Sequence, residues 1–125
     1  MESKKSLIMA SKIGDVTVVS FLTSQVLDEM NVQQLGKEMN DLLENEYANK
    51  MVINFSKIKF LSSAVLGKLI SLNKKIASMK GRLAFCSINA DIMQVFKITR
   101  LDKLIPICDD EDTAIKKVMK PGLFR

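Results

Sequence analysis

The stretch that most narrows the fold is residues 51–70, MVINFSKIKFLSSAVLGKLI. It opens with a short apolar run, MVINF, too brief for a helix and suited to a buried strand. A loop with two lysines follows, then Ser62 and Ser63, and an amphipathic helical pattern starts at once. Leu66, Leu69, Ile70, Asn73, Ile76 and Ala77 fall on one face of that helix, while Lys68, Ser71, Lys74 and Lys75 take the other. A strand that hands over to a helix within a few residues is a piece of an α/β unit. It also leaves the serine pair at a helix N-terminus, where free backbone N–H groups and the positive end of the helix dipole favour an anion. On the residues alone two readings stay open. The pair is an ordinary helix cap, worth about 1 kcal/mol, or one of the serines receives a phosphate. The capping-box partner is missing, because Val65 stands three residues after Ser62 and Leu66 three after Ser63.

The flanking sequence extends the same alternation. Residues 7–13 and 16–22 are two apolar, β-branched runs separated by Gly14-Asp15, the signal of an antiparallel hairpin with a two-residue turn. Residues 23–31 are polar and expected as a loop leading into a helix. Val32, Leu35, Met39, Leu42 and Leu43 recur at helical spacing, so that helix runs to about Tyr47, and Asn49-Lys50 breaks it. Gly81, after Lys80, stops the second helix. Residues 82–87 (RLAFCS) read as a strand. Asn89 or Asp91 caps a short helix through Ile98, and residues 104–108 are the last strand, with Pro106 marking an edge or a strand end. Residues 109–112 place acids at the start of a terminal helix that runs to about Lys120 and ends at Pro121-Gly122. The expected order is a hairpin, then α-β-α-β-α-β-α, and strands separated by helices imply parallel crossovers. The fold class is α/β: a small mixed sheet, an N-terminal antiparallel hairpin followed by parallel strands, covered by helices. A chain of 125 residues with no repeat, linker or low-complexity stretch should form one domain over 1–125.

Residue chemistry excludes several functions. There is no histidine, so neither a Ser-His triad nor a histidine metal site can be built. No G-x-x-x-x-G-K-[ST] or G-x-G-x-x-G run signals a nucleotide-cradling loop. Asp41, Glu44, Glu46 and the acids of 109–112 read as solvated helix faces and caps, with no spacing that suits an acid–base pair. The expectation is a non-enzyme with no catalytic residues, no metal and no cofactor. Cys86 and Cys108, the only cysteines, sit in apolar strand-like runs and read as small buried hydrophobes in a reducing cytoplasm. No apolar run is long enough to span a bilayer, and the first fifteen residues lack the apolar core of a signal peptide. A cytoplasmic protein without membrane insertion is expected. The formal net charge is +5, but the lysines are scattered and there is one tyrosine and no tryptophan. That pattern argues against direct nucleic-acid binding. Lys57 and Lys59 before the serines, and Lys68, Lys74 and Lys75 after them, are either a solvated face or a surface that draws an acidic partner.

Residues 60–67, FLSSAVLG, resemble the F-[LM]-D-S-[ST]-G-L-G signature of the STAS domain family, anti-sigma factor antagonist type. Phe60, Leu61, Leu66 and Gly67 match. Ser63 takes the position of the phosphorylated serine, Ser62 replaces the aspartate, Ala64 the second Ser/Thr and Val65 the first glycine. The element order agrees with that fold. Residues 99–109, TRLDKLIPICD, resemble its late loop and strand, G-L-x-x-L-F-x-[IV], with Arg100 where glycine is common. The resemblance implies a binding module that engages an anti-sigma factor of the serine-kinase type and is switched off when Ser63 is phosphorylated. A phosphate adds about −1.5 to −2 charge; the helix start accepts it, while a partner's carboxylate or apolar patch is repelled. The implied contact surface comprises Leu22, Thr23, Ser24, Lys59, Ser62, Ser63, Ala64 and Lys68. The departures are specific. Ser62 lacks the carboxylate that, in the family, lies beside the kinase's reacting centre, and Val65 adds a β-branched side chain at the helix start. Ser20-Phe21-Leu22-Thr23 stands where antagonists often carry G-x-L-D, putting Thr23 in the aspartate position. Two other roles fit the scaffold: a STAS accessory subunit of a membrane transporter or lipid-trafficking ATPase, and a small-ligand-binding protein. Whether the chain associates weakly with itself is open.

Overall fold

A computed structural model of the chain describes residues 5–119. Strands β1 (Ile8–Ile13) and β2 (Val16–Phe21) form the expected hairpin, with Ile13 and Val16 as its last registered pair. Gly14 in the turn has φ +60°, a left-handed conformation that a residue without Cβ adopts at no steric cost. The remaining elements are β3 (Gln25–Val26), α1 (Glu29–Glu46), β4 (Lys50–Asn54), β5 (Phe60–Leu61), α2 (Ser63–Ser78), β6 (Arg82–Cys86), α3 (Ala90–Ile98), α4 (Leu101–Leu104), β7 (Ile107–Cys108) and α5 (Glu111–Met119). The main sheet has the order β1-β2-β4-β6-β7. Only the β1–β2 pair is antiparallel; β2–β4, β4–β6 and β6–β7 are parallel.

Period-2 alternation divides the strands between two cores. Val19, Phe21, Met51, Ile53, Leu83 and Phe85 join the main core, with residues from α1 to α4. Val16, Val18, Val52, Ala84 and Cys86 point the other way and pack on Ala114, Ile115 and Val118 of α5. A strand buried on both faces needs a continuous apolar run, and MVINF is one. In the main core the Phe55 ring meets Phe21, Phe85 and Phe96 at centroid distances of 5.3, 4.9 and 5.8 Å. Phe55, at the centre of this group, lies just before the serine loop in sequence and anchors the point where that loop begins.

The structure amends the expectations in four places. The polar segment 23–31 holds a strand, β3, which pairs in parallel with β5 (Gln25 with Phe60, Val26 with Leu61). Two-residue strands are too short to leave a periodic signal. The last strand is only Ile107–Cys108. Leu104 ends the helical turn α4, and Pro106, with no N–H to give, immediately precedes the strand and contributes only its carbonyl, which accepts from Phe85 N at 2.9 Å. That strand does lie at the sheet edge. On α2 the buried residues are Val65, Leu66, Leu69, Leu72 and Ile76, whereas Ala77 is exposed. At the end of α2 the left-handed residue is Lys80 (φ +58°), not Gly81. Gly81 is required for another reason: a Cβ there would lie 1.9 Å from the Asn49 carbonyl oxygen. Arg100, at the position where glycine is common, has φ +63°. The expected helix end near Lys120 and the stop at Pro121-Gly122 lie outside the described residues.

Cys86 and Cys108 are free and face each other in register across β6 and β7. Cys86 is buried and Cys108 half-buried, and burial pushes both thiols up from their ordinary range. Raised thiols hold little thiolate, which fits their reading as packing residues.

Candidate functional site

The β3–β5 pair brings the two segments expected to form the contact surface side by side. The Ser24 carbonyl accepts from Lys59 N at 2.7 Å and from Phe60 N at 3.3 Å, and the Val26 carbonyl accepts from Ser62 N at 3.0 Å. Thr23 Oγ1 donates to the Gln25 carbonyl at 3.1 Å, which folds residues 23–25 into a side-chain turn. Leu22, 45% exposed, and the exposed Ser24, Lys59, Ser63 and Ala64 therefore share one edge of the molecule. Lys68 is not brought to the loop. Five residues beyond Ser63 it lies roughly 140° round the helix axis, and its Nζ donates to Gln33 Oε1 on α1 at 3.1 Å.

Ser62 is the N-cap of α2, with φ −79° and ψ 160°. Its carbonyl accepts from Val65 N at 3.1 Å, but its side chain makes no capping bond. Ser62 Oγ is buried without a hydrogen-bond partner, a condition shared among the described residues only by Thr17 Oγ1 in the sheet. A buried hydroxyl without a partner is costly, and Ser62 does not offset that cost by capping α2. Ser63 is the first residue of the helix and Ala64 the second, and neither N–H has an acceptor among the described residues. The site is thus a helix start whose donors are uncapped, with an exposed serine hydroxyl on the same turn.

Beside this start lies a groove of about 250 Å³. Leu61, Leu66, Ile92, Val95 and Phe96 line it, with Ser62 and Ser63 along one side. The three α3 residues were not anticipated from sequence. The available signal was that the apolar residues of α3 exceed what its buried face takes: Ile92 and Phe96 are buried, yet Val95 and Ile98 are 44% and 77% exposed. Asn89 fixes this wall of the groove. Its Oδ1 accepts from Ile92 N at 2.9 Å, capping α3, and its Nδ2 donates to the Ile58 carbonyl at 3.1 Å, tying α3 to the loop before β5. On the far side Asn54 Nδ2 donates to Glu111 Oε1 of α5 at 2.9 Å, and Asn54 Oδ1 accepts from Ser56 N at 2.8 Å. The loop before the serines is therefore anchored at both ends. A second groove, between α1 and α2, is crossed by Lys68 and Lys75, whose ammonium groups meet Gln33 and Asn40.

Among the described residues no three metal-ligating side chains come together, and no helix is long and apolar enough to cross a membrane. What the loop offers is an accessible hydroxyl and a set of anion-favouring donors, a surface to be bound or modified.

Comparison with known proteins places the fold in a family. The family model of the STAS domain matches residues 8–114. An anti-sigma F factor antagonist of Paenibacillus polymyxa is 23% identical over 92 residues, covering 74% of this chain and 79% of that protein. The crystal structure of the Thermotoga maritima protein TM1081 superposes with a TM-score of 0.79 at 26% identity, over 90% of this chain and 95% of that one. The anti-sigma factor antagonist SpoIIAA in its unphosphorylated form gives a TM-score of 0.69 at 15% identity, covering 93% of this chain and 99% of that one.

Proposed function

The chain belongs to the STAS domain family, and on that premise we propose that it is an anti-sigma factor antagonist, a cytoplasmic, non-enzymatic module that binds an anti-sigma factor of the serine-kinase type. Phosphorylation of Ser63 by that partner ends the binding. The observation that carries this reading is the state of the α2 start: Ser63 is exposed at the first helical position, beside two backbone N–H groups with no acceptor among the described residues. A phosphate placed there meets free donors and the positive end of the helix dipole, so the fold accommodates it. The same charge opposes any acidic or apolar partner surface held against the loop. The relative in Paenibacillus polymyxa, named as an anti-sigma F factor antagonist, supports the reading. The contact surface is Leu22, Thr23, Ser24, Lys59 and the Ser62–Ser63–Ala64 start of α2. Lys68 sits at its margin, engaged with α1.

The test is a paired capture from the source organism's lysate, with wild type and Ser63→Asp as baits. The expected result is a kinase-like protein held by wild type and lost by Ser63→Asp, while both baits give the same circular dichroism spectrum. Equal recovery of that partner by both baits, or recovery of the same transporter components by both, overturns the proposal.

A further inference from the structure

Three features of the α2 start belong to one arrangement. The Ser63 and Ala64 N–H groups have no acceptor among the described residues, and Ser62 Oγ is buried without a partner although it would ordinarily cap this helix. The groove alongside is apolar, and no acidic residue lines it. Its volume of about 250 Å³ exceeds the roughly 150 Å³ of an apolar cavity that admits a benzene ring. Polar donors at one end and an apolar slot at the other define a ligand with the opposite layout. Charge complementarity selects an anion at the helix start, where the dipole is positive and an exposed lysine, Lys59, stands three residues before Ser62 in the chain. The slot selects a large aliphatic or aromatic side chain, since an exposed apolar rim on α3 gains most from covering one.

We infer that the protein partner docks by a two-point contact: a carboxylate on the Ser63 and Ala64 N–H groups, and an adjacent large apolar side chain in the groove between α2 and α3. Rotation of Ser62 about χ1 frees its hydroxyl to join the carboxylate, which gives the orphaned oxygen a partner. This deepens the binding-module reading above and rests on it. It also supplies the reason for switching: a phosphate on Ser63 takes the same N–H groups and repels the carboxylate, so both points of contact are lost together.

The probe is N-acetyl-Asp-Phe-amide, titrated into ¹⁵N-labelled protein. Saturable shifts of the Ser63 and Ala64 amides are expected, with N-acetyl-Asn-Phe-amide and N-acetyl-Asp-Ala-amide each about tenfold weaker. Ser63→Pro should weaken binding by about tenfold, because it deletes one donor at a helix position that favours proline, after a residue that is already extended. Val95→Gln, at an exposed site, should weaken it too. Absence of a saturable shift overturns the two-point contact, as does binding of the Asn or Ala probe as tight as that of the Asp-Phe probe, or binding by the Ser63→Pro protein equal to that of wild type. Such a failure leaves the lysate capture result standing, so the docking mode and the phosphorylation switch fall separately.

Discussion

The starts of α1 and α2 have nearly the same backbone and opposite chemistry. Asp28, before α1, has φ −86° and ψ 162°; Ser62, before α2, has φ −79° and ψ 160°. Asp28 Oδ1 accepts from Asn31 N at 2.8 Å, and Glu29 adds an acid to the first turn. Ser62 makes no such bond, and the first turn of α2 has no acid. Both residues are of types that cap helices well, so the open end of α2 is a matter of side-chain placement. The start of α1 is closed by its own side chain, and the start of α2 is left with donors to spare. What holds the start of α2 must then be burial: Val65 is fully buried and Leu66 nearly so.

The largest effect should come from removing that anchor. Leu66→Ala is expected to cost about 2–5 kcal/mol, nearer the lower value because one side of Leu66 borders the open groove. Urea denaturation reads the loss. A cost below that of removing the α1 cap would mean that burial is not what secures the open end.

A pair of cap substitutions sharpens the contrast. Asp28→Ala should lower stability by about 1 kcal/mol, because it frees a donor that is now bonded. Ser62→Ala should leave stability unchanged or raise it, because the hydroxyl it removes satisfies nothing. Both can be followed by the denaturation midpoint at constant slope. Equal losses at the two sites would show that Ser62 caps α2 in solution, and the distinction between the helices would disappear.

Much of this was legible in the residues. The hairpin, the helix-separated parallel strands and the edge position of the last strand follow from apolar periodicity and from Gly14 and Pro106. The exposed Ser63 at a helix start followed from one strand-to-helix junction. The groove did not, because it is made by Ile92, Val95 and Phe96, and nothing local says which helix will lie against α2. Nor did β3, whose two residues are stabilised by pairing with β5 across more than thirty positions of chain. The role of Gly81 was misassigned for the same reason: its need for a missing Cβ arises from the Asn49 backbone, a contact set by the tertiary fold. Lys68 looked like part of the loop because sequence proximity hides the angle around a helix.

The smallest effect separates the helix starts by acid. α5 begins after Asp110, whose Oδ1 accepts from Thr113 N at 2.8 Å. That backbone N–H, and then the Thr113 side chain, hold the Asp110 carboxyl below its ordinary range, with Lys116 adding a little. A carboxyl lowered in the folded state stabilises when ionised. Its contribution is complete above the unfolded value, near 3.8, and is lost as the pH falls through the lowered folded value. The start of α2 has no capping carboxylate to protonate. Amide exchange at the first turn of α5, corrected for intrinsic pH dependence, should therefore accelerate on acidification only below the usual carboxylate range. The Ser63 and Ala64 amides should show no such step. Asp110→Asn, which keeps a capping oxygen but cannot titrate, should remove the step from α5. A matching step at Ser63 and Ala64 would mean that a carboxylate of the chain already occupies the start of α2. In that case the end described as open would be closed in solution, and the surface offered to a partner would have to be exposed by displacing it.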